Sequence, residues 1–431
     1  MKTHFQNVLS RHQWLLSVVA GISAFGVYSS MYAFRKSFAA GTYTGLKVGG
    51  IDYKTALVIA QVFGYMLSKF FGISFVSGME AGKRTRSVLL LIGISWLALL
   101  AFAIIPAPYN IACLFFNGLP LGMIWGLVFS FLEGRRNTEL MAAIMASSII
   151  FASGFVKSTG RMLLQVWHVP EFWMPFTTGL LFVVPLCFFL FILNNIPSPS
   201  VVDIAERSER KPMSRSDRAS IISEYWPGLA LICFTYLMLT VVVSIRDNFE
   251  VEIWSGLGYG KQSSIYTSID FPVSVAVLIA MAVMIKVKNN LKAFVYIHGM
   301  ILVGCLLVLG STLLFMYGII GPVIWMTCAA LGIYLSYIPY NSIFFERMIA
   351  SFAIVGNVGF VMYLADSLGY FGSVGVLLFR QAASADMSWL TFFTRALLVL
   401  SSVGIASVLL SMNYFINKYN VARKGVLTYD Q

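Results

Sequence analysis

Long apolar segments recur along almost the whole chain, and this feature most limits how it can fold. A helix needs about 20 predominantly apolar residues to cross a bilayer. Charged residues make up only 11% of the 431 positions, which excludes a soluble protein of this length. The sequence therefore predicts an all-α polytopic membrane protein with twelve transmembrane helices. The predicted spans are 14–40, 53–77, 87–105, 108–132, 138–165, 174–194, 226–254, 264–286, 291–316, 319–345, 350–378 and 389–417.

The charges between these spans predict their orientation. Lys and Arg are concentrated in alternate connections, whereas opposite loops such as 106–107 and 317–318 are short and nearly uncharged. Cytoplasmic loops of membrane proteins carry an excess of Lys and Arg. We therefore expect both termini in the cytoplasm, with a bacterial inner membrane as the expected location. The net charge of +12 is explained by these loops and predicts no nucleic-acid partner.

One connection, 195–225, is longer and more polar than the others and lies at the midpoint of the chain. Its mixed charges and its Pro-Ser repeat are typical of a linker. The sequence therefore predicts an N-terminal six-helix bundle at 1–194, a cytoplasmic linker at 195–225 and a C-terminal six-helix bundle at 226–431.

Two short motifs recur at nearly the same spacing. The segment Arg-Lys-Ser-Phe at 35–38 ends the first span, and Arg-Asp-Asn-Phe at 246–249 ends the seventh, 211 residues later. The segment Phe-Leu-Glu-Gly-Arg at 131–135 is matched by Phe-Phe-Glu-Arg at 344–347, offset by 213 residues. These repeats predict two related halves, each of which carries one charged helix.

Several cations lie inside apolar segments. A Lys or Arg at the centre of a membrane helix costs about 2.5–3.5 kcal/mol, so these side chains are expected to face the protein interior. Intramembrane acids are fewer, so the positive surplus predicts a small anionic ligand. The alternatives are ion pairing within the bundle, with Asp366 or Asp270 neutralising Arg35 or Lys69, and extension of Lys36 or Arg161 to the membrane surface. The six cations are Arg35, Lys36, Lys69, Lys157, Arg161 and Arg246.

The chain resembles the major facilitator superfamily and, within it, the organophosphate:phosphate antiporters. The matching residues are Tyr32, Arg35, Lys36 and Phe38 in the first span, Gly64, Tyr65, Ser68, Lys69 and Phe70 in the second, and Arg246 in the seventh. The resemblance implies that Arg35 and Arg246 clamp a phosphate and that Lys69 assists them. The chain departs from the family in its fifth span, where the expected histidine has no counterpart. The loop motif after the second span is reduced to 80–84.

These observations define the candidate site. Pro339 interrupts the tenth span, so the residues after it either line a cavity or belong to a purely structural kink. The predicted substrate-binding residues are Arg35, Lys69, Arg246, Lys157, Tyr32, Tyr65, Tyr340 and Asn341, and the candidate coupling residues are Asp366 and Asp270.

Three functions are compatible with this sequence. The favoured one is a secondary active transporter that exchanges or symports a small organic anion, such as a phosphate ester, by alternating access. The alternatives are a proton-coupled carrier of carboxylates or sugars and a major-facilitator-like sensor that does not transport. The sequence carries no motif typical of an enzyme or of a metal or cofactor site. We expect a monomer whose partners are a small anion and membrane lipid.

Overall fold

Helices form nearly all of the structure, a computed structural model that describes residues 2–429 except 78, 136, 200–202, 204–214, 353–357 and 384–386. The first eight helices are α1 (Lys2–Arg11), α2 (Gln13–Lys36), α3 (Tyr53–Ser77), α4 (Arg84–Ile104), α5 (Ile111–Leu121), α6 (Ile124–Phe129), α7 (Thr138–Gln165) and α8 (Met174–Asn194). The remaining ones are α9 (Arg215–Gly256), α10 (Ile265–Ile285), α11 (Asn290–Met316), α12 (Pro322–Tyr337), α13 (Phe344–Ser351), α14 (Val358–Ala383) and α15 (Trp389–Tyr429). Short 3₁₀ turns span Ser37–Ala40, Ala81–Lys83 and Ile338–Asn341.

Each of the twelve predicted spans overlaps a helix, and residues 353–357 of the span 350–378 lie outside the described residues. Within the described ranges, ten helices are long and apolar enough to cross a membrane. The predicted spans 53–77 and 350–378 correspond to α3 and α14. The prediction of an all-α polytopic membrane protein is therefore confirmed.

Among the described residues, two predicted spans leave the α-helical path near a proline. The span 108–132 divides into α5 and α6, and Pro120 lies in the last turn of α5. The span 319–345 leaves the α-helical path after Tyr337, where a 3₁₀ turn contains Pro339. A proline lacks the N–H group that continues the helical ladder, which accounts for both breaks.

A two-stranded ribbon, which the sequence analysis did not predict, follows α2. Strand β1 (Lys47–Val48) pairs antiparallel with β2 (Ile51–Asp52). Gly49 and Gly50 form the turn with φ values of 56° and 81°, which suits a two-residue hairpin loop.

The described chain divides into two compact units. Unit 1 comprises Met1–Arg207, Ile245–Leu278 and Val374–Thr391, and unit 2 comprises Ser208–Ser244, Ile279–Ser373 and Phe392–Gln431. Helix α9 begins within the predicted linker, much of which lies outside the described residues. The division into bundles at 1–194 and 226–431 stays a prediction.

Glycines allow close helix contacts in each unit. In unit 1, a Cβ atom on Gly64 of α3 would lie 2.2 Å from the carbonyl oxygen of Phe115 in α5. A Cβ on Gly118 of α5 would lie 2.3 Å from the carbonyl oxygen of Gln61. In unit 2, Gly332 of α12 packs in the same way against the backbone of Gly304 in α11. Each pair of helices therefore meets backbone to backbone.

Candidate functional site

The first copy of the repeated motif lies at the end of α2, in unit 1. The guanidinium carbon of Arg35 lies 3.7 Å from the ring centroid of Tyr65 and 5.8 Å from that of Tyr32. Arg35 is only 7% exposed, so this cation–π contact is largely shielded from solvent.

Amide side chains of α3 and α5 fix the end of α2. Gln61 donates to the carbonyl oxygen of Arg35 at 2.5 Å, and Asn117 donates to that of Phe34 at 2.8 Å. Gln61 also donates to Asn117 at 2.7 Å. These bonds satisfy carbonyl groups where the helix gives way to a 3₁₀ turn, and they hold Arg35 in position.

Lys69 lies one helical turn after Tyr65, and its Nζ is 5.5 Å from the Tyr65 ring centroid. One phenol ring is therefore contacted by two cations from different helices. Tyr28 extends the aromatic surface, since its ring is 5.8 Å from Tyr32 and 4.9 Å from Trp125. The structure thus brings together four of the predicted binding residues, which we call the Tyr65 cluster: Arg35, Lys69, Tyr32 and Tyr65.

The second copy of the motif has a different environment, also in unit 1. Nη2 of Arg246 lies 2.5 Å from Oδ1 of Asp270 and 2.9 Å from Oε1 of Glu250. All three side chains are fully buried. Two carboxylates therefore flank this guanidinium.

Lys157 of α7 joins the same group. Its Nζ donates to Oε2 of Glu250 at 2.6 Å and to Ser153 at 2.7 Å. Ser153 in turn donates to Oδ1 of Asp247 at 2.5 Å, and Lys157 lies 3.5 Å from that oxygen. Lys157 is thus held among acids rather than beside Lys69.

The two motif copies contact each other through Lys36. Its Nζ donates to Oδ1 of Asn248 at 2.7 Å and lies 3.5 Å from Oδ2 of Asp247. Lys36 is 3% exposed, so it does not extend to the membrane surface. We call the resulting group the ion-pair network; it contains Lys36, Lys157, Arg246, Asp247, Glu250 and Asp270. Among the described residues its three cations balance three carboxylates.

A stack of rings and cations adjoins the network and was not predicted from the sequence. At Phe249 the backbone of α9 leaves helical geometry, with φ −120° and ψ 18°. Its ring stacks on Trp389 with centroids 3.4 Å apart, and Arg380 lies 3.7 Å from the Trp389 centroid. Lys54 is 5.6 Å from the Phe249 ring and donates to both oxygens of Glu252.

Unit 2 contains the other predicted polar residues. The hydroxyl of Tyr236 donates to Asp366 and lies 3.4 Å from Oδ1 of Asn341. The Tyr236 ring packs on Tyr340 with centroids 5.4 Å apart and on Tyr337 at 5.5 Å. The structure thus assembles Asp366, Tyr340 and Asn341, as predicted candidates, around a tyrosine that was not predicted.

Other candidate features have simpler structural contacts. Arg161 donates to the carbonyl oxygen of Gly260 at 2.9 Å. In the part of the chain that the structure describes, no group of three His, Cys, Asp or Glu side chains is arranged to hold a metal ion.

The fold is similar to that of known membrane transporters. Three solved transporter structures of the major facilitator fold align with almost all of the chain. The first is a D-xylose-proton symporter, with a TM-score of 0.61 and 11% identity over 93% of this chain and 97% of the symporter. The second is the nucleoside transporter NupG, with a TM-score of 0.60 and 12% identity over 93% of this chain and 100% of NupG. The third is the human organic anion transporter MFSD10, with a TM-score of 0.53 and 15% identity over 92% of this chain and 98% of MFSD10.

The TM-scores show a shared fold, so the chain has the major facilitator fold that the resemblance implied. The chain belongs to the family DUF5690, a family of unknown function, whose sequence profile matches residues 37–418. No curated protein sequence matches the chain. The narrower resemblance to organophosphate:phosphate antiporters stays a prediction.

Proposed function

We propose that the chain is a secondary active transporter for a small organic anion, with phosphate esters as the leading substrate class. The Tyr65 cluster carries this proposal, because it places Arg35 and Lys69 on one aromatic ring inside unit 1. The shared fold with transporters supports alternating access.

The geometry of Arg35 suits anion binding. A guanidinium stacks on a ring through its face, whereas it binds a phosphate or carboxylate through the N–H groups at its edge. Contact with Tyr65 is therefore compatible with a bidentate contact to an anion, and it restricts the motion of the side chain before the anion arrives. Lys69 adds a second positive charge beside the same ring.

Arg246 and Lys157 are not primary anion contacts in this proposal. Their charges already interact with Asp270, Glu250 and Asp247. An anion that bound directly to Arg246 would have to compete with two buried carboxylates. The proposal therefore places the primary anion contacts in the Tyr65 cluster, and the joint clamp of Arg35 and Arg246 stays a prediction.

Ligand-induced stabilisation of the purified protein tests the proposal. Ligands that bind the folded state raise its apparent stability, by about 2.7 kcal/mol at 100 times Kd. We expect glycerol 3-phosphate or inorganic phosphate to raise the melting temperature of the wild type more than xylose or succinate does. Arg35→Lys and Lys69→Ala should reduce this shift. Arg395→Lys, at an exposed cation in α15, is the matched control.

A shift from xylose or succinate alone, or an unchanged phosphate shift in Arg35→Lys, would contradict this assignment. If phosphate esters do stabilise the protein, uptake into liposomes loaded with phosphate would distinguish exchange from symport. The exchange partner, the bacterial inner membrane, the cytoplasmic termini and the monomeric state stay predictions.

A second candidate function is a proton-coupled carrier of a neutral polyol or sugar. The observation that favours it is the cluster of Tyr236, Tyr337, Asn341 and Asp366, because hydroxyl, amide and carboxylate groups on aromatic walls suit a hydroxyl-rich ligand. Two of the structural neighbours carry xylose and nucleosides. Stabilisation by xylose that is lost in Tyr236→Phe would support this candidate.

A further inference from the structure

The three carboxylates of the ion-pair network differ in how well they are supported. Asp247 and Glu250 each lie within 3.5 Å of two cations. Asp270 contacts a single cation, Arg246, through Oδ1. Its support is therefore the weakest of the three, in the described part of the chain.

The second carboxylate oxygen of Asp270, Oδ2, is the atom that could take up a proton. Oδ2 is buried and has no hydrogen-bond partner among the described residues; Oε1 of Glu250 also has none, but it lies 2.9 Å from Nη2 of Arg246. A Cβ on Gly154 would lie 2.7 Å from it, so the backbone of α7 covers this oxygen. A buried carboxylate oxygen without a donor is costly, and a proton on that oxygen removes both the charge and part of the cost.

Among the described residues, the charged groups around Asp270 come from two helices. Arg246 and Glu250 face it from α9, and Lys157 acts on it from α7. One nitrogen of Arg246 serves both Asp270 and Glu250, whereas Lys157 holds the other oxygen of Glu250. When Asp270 is neutral, Arg246 keeps its contact with Glu250, so the remaining ion pairs stay satisfied.

We propose that Asp270 is a proton-binding site inside the membrane, which takes a proton from water at Oδ2 and releases it again. The only bond formed or broken is the O–H bond. Protonation changes the ion-pair network from three cations and three carboxylates to a net charge of +1. An anion at Arg35 and Lys69 would offset that charge, so proton and anion would bind together; this step rests on the proposed function and makes the proton the coupling ion.

Infrared difference spectroscopy tests the proton site without any substrate. Spectra of the wild-type protein in lipid nanodiscs are recorded at successive pH values above about 5.5, where ordinary exposed carboxylates stay ionised. They should show the carbonyl band of a protonated carboxylic acid that grows as the pH falls. The band should disappear in Asp270→Asn. It should remain in Glu252→Gln, since Glu252 accepts from Lys54 on both oxygens. It should also remain in Asp366→Asn.

Isotope labelling gives an independent result if Asp270→Asn does not fold. In wild-type protein that contains carboxyl-¹³C aspartate, the acid band should move to lower frequency, and it should do so in Asp366→Asn as well. A band that does not move belongs to a glutamate and overturns the proposal. So does a wild-type protein that shows no acid band before it unfolds. Neither result depends on the transported substrate, so a failure of the proposed function would be seen separately.

Discussion

The two copies of the repeated motif, 35–38 and 246–249, place the same arginine in opposite surroundings. Arg35 lies over the ring of Tyr65, whereas Nη2 of Arg246 contacts Asp270 and Glu250. Both copies lie where a helix loses regular geometry, at Lys36 and at Phe249. The repeat therefore gives an arginine the same position in both copies, while the contacts described for the two side chains differ: an aromatic ring for Arg35 and two carboxylates for Arg246.

The second position of the motif explains how the copies fit together. It is Lys36 in the first copy and Asp247 in the second, so the repeat carries opposite charges at equivalent positions. These two side chains lie 3.5 Å apart, and Asn248 accepts from Lys36 as well. The two copies differ at their second and third positions, and both residues of the second copy, Asp247 and Asn248, contact Lys36 of the first.

The largest expected effect comes from Arg246→Leu. This change leaves Asp270 and Glu250 buried with one cation fewer, which we expect to cost about 3–5 kcal/mol of stability. Thermal denaturation followed by size-exclusion chromatography would measure it as a large fall in melting temperature. Adding Asp270→Asn should recover part of the loss, because it removes one stranded charge. Wild-type stability in the single variant would refute the ion-pair account of Arg246.

Lys36→Met should have an intermediate effect. It removes a charge-assisted bond to Asn248 and a cation near Asp247, which corresponds to about 1.5–3 kcal/mol. Lys83→Met is the control, because Lys83 forms an exposed pair with Glu80 at 3.0 Å, and such a pair contributes about 0–1 kcal/mol. Equal losses in the two variants would show that contact between the motif copies adds little.

Arg35→Leu should destabilise the protein less than Arg246→Leu does. The loss of a shielded cation–π contact corresponds to about 2 kcal/mol. Arg35→Lys should keep most of the stability and still weaken phosphate-ester binding by about ten- to a hundredfold, since one charge-assisted bond contributes about 1.5–3 kcal/mol. Isothermal titration with glycerol 3-phosphate would measure the affinity. If Arg35→Leu destabilised the protein as much as Arg246→Leu does, the two arginines would not differ in their contribution to stability.

The smallest effect concerns the last position of the motif. A double-mutant cycle of Phe249→Leu and Trp389→Leu should give a coupling energy of about 0.5–1.5 kcal/mol, the usual range for an aromatic pair. Melting temperatures of the four proteins provide the measurement. A coupling near zero would mean that the ring stack follows from the bend in α9 and does not support it.

Much of the fold was accessible from the sequence because membrane spans and repeats leave strong local signals. The Tyr65 cluster was also predictable, since Arg35, Tyr65 and Lys69 belong to short motifs. The partners of Arg246 were harder to predict from the sequence. Glu250 lies four residues after Arg246, a helical spacing that could have revealed it, whereas Asp270 was one of several acids that could pair with a cation.

Contacts between distant helix ends left no such signal. Lys54 and Glu252 are separated by 198 residues, and each lies beside a loop where a charge would be expected anyway. Tyr236 is one of 20 tyrosines, and its sequence neighbours do not distinguish it. Only the three-dimensional arrangement shows that it donates to Asp366.

The close contact between α3 and α5 also determines which glycines can be replaced by other residues. Gly64 and Gly118 face the opposing backbone at distances that no side chain tolerates, and this contact holds Gln61 and Tyr65 at the level of Arg35. Gly93 in α4 has no atom within 4 Å of a Cβ built on it, so alanine would fit there. Relatives that share the arrangement around Tyr65 should therefore keep glycine at the first two positions and vary freely at the third.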